Sequence, residues 1–140
     1  MSEEVKALAR RWFDEVWNQD RATATATIDD LFHPEGRATG IPEPESKLSS
    51  IDEFKAVHKQ FRDAFSDIHI DIDDLVSEGD KVAIRWTANM KHTGDALGFP
   101  PTGRHVRVPG SAFFHCKNGK IIEGWNQMDF TIITAQLKST

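Results

Sequence analysis

Asp129 is the residue in this chain best placed to move a proton. Read with a period of two along Trp125-Asn126-Gln127-Met128-Asp129, it shares a face with Trp125 and Gln127. Aspartate is scarce inside strands, so a carboxylate among apolar neighbours needs a reason. In an apolar, partly dry pocket its pKa would rise by desolvation, making it a better base for a carbon acid near neutral pH. The other reading is a carboxylate at the sheet rim paired with Arg or Lys. His92 is the second candidate, because it continues a face that carries Trp86 and Met90. A neutral imidazole there could hydrogen-bond a carbonyl or protonate an alkoxide. It could equally be a strand-end histidine that orders the glycine-containing loop after it.

The remaining polar candidates read as structural. Arg85 falls on the face opposite Trp86, which predicts a salt bridge at the surface or an interface. Arg104 follows Pro100-Pro101-Thr102-Gly103 and is expected to fix that loop, which could cover a pocket mouth with Phe99 as an apolar plug. His33, His58 and His69 are expected at the surface or as caps. The six histidines show no four-residue helical pair and Cys116 is the only cysteine, so neither a zinc constellation nor an intrachain disulfide is expected. No Gly-rich phosphate loop is present, and no cofactor or metal is expected.

These side chains need elements to hold them. Val5, Leu8, Trp12 and Val16 recur at helical spacing, with Glu3 and Glu4 in the first turn. A second helix is predicted from about Ala22 to Phe32, with Asp20 as N-cap, and His33-Pro34-Glu35-Gly36 ends it. Residues 34–49, with Pro42 and Pro44, read as a short edge strand or an ordered loop. Ser50-Ile51-Asp52-Glu53 is a capping box opening a helix that carries Phe54, Val57, Phe61 and Phe65. From Ile68 the period changes to two, giving a strand, a turn at Glu78-Gly79-Asp80 and a second strand with Val82 to His92 on one face. A third strand is predicted from about Arg104 to Cys116, an Asn118-Gly119 hairpin, and a last strand from Lys120 to about Ala135. Gly110 and Gly124 are the expected places for bulges or kinks.

The result is an α+β fold: three N-terminal helices against a strongly curved antiparallel or mixed β-sheet, forming a cone with an interior pocket. A chain of 140 residues predicts one domain over residues 1–140. The formal charge of −5, without a basic run, argues against a nucleic-acid surface. No stretch approaches the roughly 18 apolar residues of a membrane span. The acidic N-terminus does not resemble a signal peptide, and a cytoplasmic setting is expected.

Several segments together resemble the SnoaL-like polyketide cyclases (ester cyclases) of the nuclear transport factor 2-like superfamily. They are Gly79-Asp80-Lys81-Val82-Ala83-Ile84-Arg85-Trp86-Thr87, His92-Thr93-Gly94, Gly98-Phe99-Pro100-Pro101-Thr102-Gly103-Arg104, Asn118-Gly119-Lys120-Ile121 and Trp125-Asn126-Gln127-Met128-Asp129-Phe130. The resemblance implies a cone fold, a small-molecule cavity, cofactor-free aldol ring closure and a homodimer packed through the sheet. It also implies that Asp129 is the acid/base, and His92 matches the histidine of the family's His-x-Gly segment. The expected ligand is a small apolar or aromatic carbonyl compound, a polyketide or β-keto ester, contacted by Gln127, Trp125, Trp86, Phe61, Phe99 and Met90. Two other readings stay open on the same fold: a binding or scaffold protein without turnover, and an epoxide-hydrolase-like enzyme using Arg85 or Arg104 with Asp129. A ketosteroid-isomerase constellation cannot be built as it stands, because that site uses a tyrosine and this chain has none.

Overall fold

The first helix, α1 (Ser2–Trp12), does not stop where its backbone changes but runs into a π turn, Phe13–Trp17. The structure, a computed structural model, describes residues 2–41, 46–98 and 100–138. In a π turn the hydrogen bond closes one residue later than in an α-helix, which rotates the following side chains. Consequently the adjacent pairs Trp12–Phe13 and Val16–Trp17 are all buried. A plain amphipathic helix buries a narrower stripe. The carbonyls released at the end of the turn are collected by α3. Arg62 Nη2 donates to the oxygens of Val16 (2.9 Å), Trp17 (3.1 Å) and Gln19 (2.5 Å), and His58 Nε2 donates to that of Val16 at 2.8 Å. His58 is therefore a buried structural histidine, not the surface or cap residue its sequence context predicts.

Helix α2 (Arg21–Leu31) starts as expected, with Asp20 Oδ1 accepting from Thr23 N at 2.7 Å. Helix α3 (Ile51–Ala64) opens on Ser50, whose hydroxyl accepts from Glu53 N; Glu53 reaches back to Ser49 N at 2.7 Å rather than to the cap residue itself. The strands are β1 (Phe32–Thr39), β2 (Lys47–Leu48), β3 (Phe65–Glu78), β4 (Lys81–His92), β5 (His105–Lys117) and β6 (Lys120–Met128). They form one open mixed sheet in the order β2-β1-β6-β5-β4-β3, antiparallel throughout except where β1 runs parallel to β6. The irregular region thus supplies β1 as an interior strand as well as the short edge strand β2, and residues 42–45 lie outside the described residues.

Two expectations about the sheet are corrected. Gly110 and Gly124 sit in regular register; the irregularity in β6 lies earlier, where His115 pairs Glu123 but Cys116 pairs Ile121. Ile122 is the extra residue of a bulge, and a bulge moves every later side chain to the other face. The second correction concerns the end of β6. The strand stops at Met128 instead of continuing to about Ala135, and Phe130–Lys138 forms a helix, α4. Ile133 and Leu137, four residues apart, are buried. Beyond Gly110, strand β5 outlasts β6, and α4 covers the vacated edge. The Gln136 carboxamide accepts from Arg107 N at 2.9 Å and donates to Arg107 O at 2.7 Å, as a neighbouring strand would.

Candidate functional site

Strands β1, β4 and β6 end, and β3 begins, at the same end of the sheet. There the inner face and the helices enclose a cavity of about 60 Å³. The helical side supplies rings from Trp12, Phe13, Trp17, Phe54 and Phe61, and the sheet supplies Trp86, Met90, Asn126 and Met128 among others. The volume is well below the roughly 300–1,000 Å³ of an ordinary ligand pocket, so a multi-ring ligand requires the walls to part. Among the described lining residues none is ionisable at neutral pH, and Asn126 carries the sole amide side chain.

Among the described residues, two side chains that line this cavity carry polar groups without a hydrogen-bond partner. Trp86 is 6% exposed, and its indole Nε1 makes no hydrogen bond. Leaving such a donor unmatched costs about 1–3 kcal/mol. Among the described residues the Asn126 carboxamide is not hydrogen-bonded either. The position of Trp86 is set by Gly110 on the neighbouring strand. A Cβ there would lie 2.2 Å from Trp86 Cζ2 and 2.7 Å from Cε2, so the indole rests over the strand where a side chain would stand. That close approach, not a kink, is what Gly110 provides.

The residues predicted from sequence divide into three groups. Trp86, Phe61 and Met90 line the cavity as expected. Trp125 and Gln127 do not. The Ile122 bulge turns Gly124, Asn126 and Met128 inward, so Trp125 and Gln127 lie on the outer face, lining a groove there with Phe113, Val76 and Arg85. Trp125 packs edge-on against Phe113 with ring centroids 5.7 Å apart. Phe99 lies outside the described residues. Asn126 and Met128 were missed by parity, because Ile121-Ile122 offers no glycine or polar break to mark the bulge.

His92 is fully buried but does not line the cavity. Its Nδ1 accepts from Thr102 N at 3.3 Å and lies 3.1 Å from Thr102 Oγ1, while its backbone holds Gly103 N and Arg104 O at 2.8 Å each. Accepting at Nδ1 places the neutral ring's proton on Nε2. Among the described residues that buried nitrogen has no hydrogen-bond partner. The geometry is that of a histidine ordering the following loop. The arginines do not surround the cavity. Arg85 pairs with Asp74 at 2.6 Å on the outer face, and Arg104 is not among the lining residues, so no Asp-Arg-Asp set is assembled there. Cys116 is buried with its thiol pushed up to about 11 by desolvation, which removes it as a nucleophile. No group of three metal-ligating side chains occurs among the described residues, and none of their helices is long and apolar enough to cross a membrane.

Asp129 follows Met128 at the cavity end of β6 and caps α4. Its Oδ1 accepts from Thr131 Oγ1 (2.5 Å) and Thr131 N (2.9 Å), and it is exposed. These bonds, the hydroxyl first, hold its carboxyl below the ordinary aspartate range. The desolvated, raised-pKa base expected from sequence is therefore corrected to a solvated carboxylate fixed by a helix cap. Among the described residues Oδ2 makes no hydrogen bond.

Comparisons with known proteins bear on the family and the fold. A family model described as SnoaL-like polyketide cyclase matches residues 7–137. A protein from Jannaschia sp. CCS1, provisionally named a SnoaL-like polyketide cyclase, superposes with a TM-score of 0.88 at 21% identity over 99% of this chain and 94% of that one. TsrD from Streptomyces laurentii gives 0.81 at 27% identity over 99% and 97%. AclR from Streptomyces galilaeus, provisionally named a hydroxylase, gives 0.84 at 23% identity over 98% and 97%. No match was found among curated protein sequences.

A lowered folded pKa means that ionised Asp129 stabilises the fold above the unfolded value of about 3.9, and that this is lost as pH falls through the folded value. A carbon-13 titration is expected to place the Asp129 carboxyl below the usual aspartate range in the wild type and closer to it in Thr131→Val. A wild-type value at or above the ordinary range would mean that the cap does not hold this carboxyl.

Proposed function

Because the chain belongs to the SnoaL-like polyketide cyclase family, we propose that its cavity binds a flat, neutral, carbonyl-bearing compound and closes a ring on it by acid/base chemistry. The observation that carries this reading is the aromatic cavity itself, with the unmatched Trp86 Nε1 in its wall and a fixed carboxylate at the end of β6, the strand that supplies Asn126 and Met128. Asp129 Oδ2 is the proposed base. It removes a proton α to a carbonyl, the enolate attacks a second carbonyl of the same molecule, and the new alkoxide takes the proton back from the Asp129 carboxylic acid. No proton is gained or lost overall, so the reaction is an isomerisation that needs no co-reactant. A carboxylate with a lowered pKa is a weak base. Most of the acceleration must then come from folding the substrate against the rings, where orientation alone can supply several kcal/mol, and from hydrogen bonds to the developing oxyanion.

A specific observation favours a second reading, ligand binding without turnover: no ionisable side chain among the described residues lines the cavity. We further propose that the partner is a second copy of the chain. Val76, Phe113 and Trp125 are 63%, 39% and 41% exposed together on the outer face, away from the cavity.

Two measurements test these statements. Deuterium exchange at the α-carbon of a panel of β-keto esters and aromatic ketones, followed by NMR, is expected with the wild type. It should fall by about 10²–10⁴-fold in Asp129→Asn. Exchange that persists in the variant rules out Asp129 as the base, and a wild type that binds without exchanging supports the binding reading. For the assembly, light scattering is expected to give a dimer that Trp125→Glu converts to monomer with the cavity intact; a wild-type monomer contradicts it.

A further inference from the structure

The two unmatched groups belong to cavity-lining residues on one face of the sheet, two strands apart. Trp86 on β4 pairs with Gly110 on β5, which pairs with Met128 on β6. Asn126 stands two residues before Met128, opposite Ala112. Strands β4 and β6 are two places apart, about 9–10 Å. Part of that span is covered by the indole, because the ring lies across β5 over Gly110. Its closest atoms to that glycine include Cε2, the carbon bonded to Nε1. The indole of Trp86 is thus carried away from its own strand to lie over β5, next to the strand that bears Asn126.

We propose, resting on the reading of this cavity as the ligand site, that Trp86 Nε1 and the Asn126 carboxamide form a two-point clamp for oxygens of the ligand. An indole N–H can only donate, so it takes a carbonyl or ether oxygen; a carboxamide donates and accepts, so it takes a carbonyl or a hydroxyl. The rest of the described lining is apolar and holds no cation, which disfavours a carboxylate or phosphate by its desolvation cost. The ligand class is therefore a neutral aromatic ketone or ester bearing a second oxygen. Gly110 is part of the device, since any side chain there displaces the indole.

The test uses acetophenone and ethylbenzene, which share a ring and chain and differ in the carbonyl. The four indole N–H signals of the wild-type protein are followed by NMR, with that of Trp86 assigned through its contact with Phe13, whose ring centroid lies 6.4 Å away. Acetophenone is expected to move the Trp86 signal downfield and ethylbenzene to leave it in place. The ketone should bind roughly three- to tenfold tighter than the hydrocarbon. Trp86→Phe and Asn126→Leu should each reduce that preference, read as the ratio of the two affinities within each variant. An unmoved Trp86 signal, a preference that survives Trp86→Phe, or no binding of either probe overturns the clamp. None of these readouts needs turnover, so the clamp and the role of Asp129 fail separately.

Discussion

A single inserted residue in β6 decides which side chains this protein shows to its cavity. Ile121 is buried on the inner face, and unbroken alternation from it would send Glu123, Trp125 and Gln127 inward. The bulge at Ile122 reverses that. Gly124, Asn126 and Met128 become the inner residues, and the outer face receives Trp125 and Gln127. Without the bulge the cavity would hold a fourth indole and lose the amide that gives it polarity.

The same strand sets the place of the carboxylate. Because β6 ends at Met128, Asp129 falls at a helix N-terminus, where Thr131 and the helix dipole favour its ionised form. Position and basicity are thereby separated: the cavity end of the sheet fixes where the charge sits, and the cap keeps it charged. Helix α4 depends on this start and repays it by matching the backbone of Arg107 through Gln136. On the opposite wall, the π turn supplies Phe13 and Trp17, and the Arg62 and His58 bonds to its freed carbonyls stabilise it.

Much of this was legible in the residues. The caps at Asp20 and Ser50, the switch to a two-residue period at Ile68, the common face of Val82 to His92 and the Asn118-Gly119 hairpin follow from local physical rules. Trp86, Phe61 and Met90, named as ligand contacts on the family resemblance, line the cavity. What was hidden is non-local. Ile121-Ile122 looks like any pair of strand residues, since a bulge between two β-branched apolar side chains leaves no compositional mark. Thr131-Ile132-Ile133-Thr134 has strand propensity, yet it folds as helix because Ile133 and Leu137 gain burial at helical spacing and Asp129 caps it. Propensity lost to packing, and both errors moved the reading of Asp129, Trp125 and Gln127 in the same direction.

The central claim is that the ligand sits on the inner face carrying Trp86, Asn126 and Met128, not on the face carrying Trp125. The chain has three methionines, and two of them, Met90 and Met128, line the cavity. With methyl-labelled methionine, nuclear Overhauser contacts from bound acetophenone should reach the Met90 and Met128 methyls and leave the Trp125 ring untouched. Contacts to Trp125 without those to the two methyls would contradict the account.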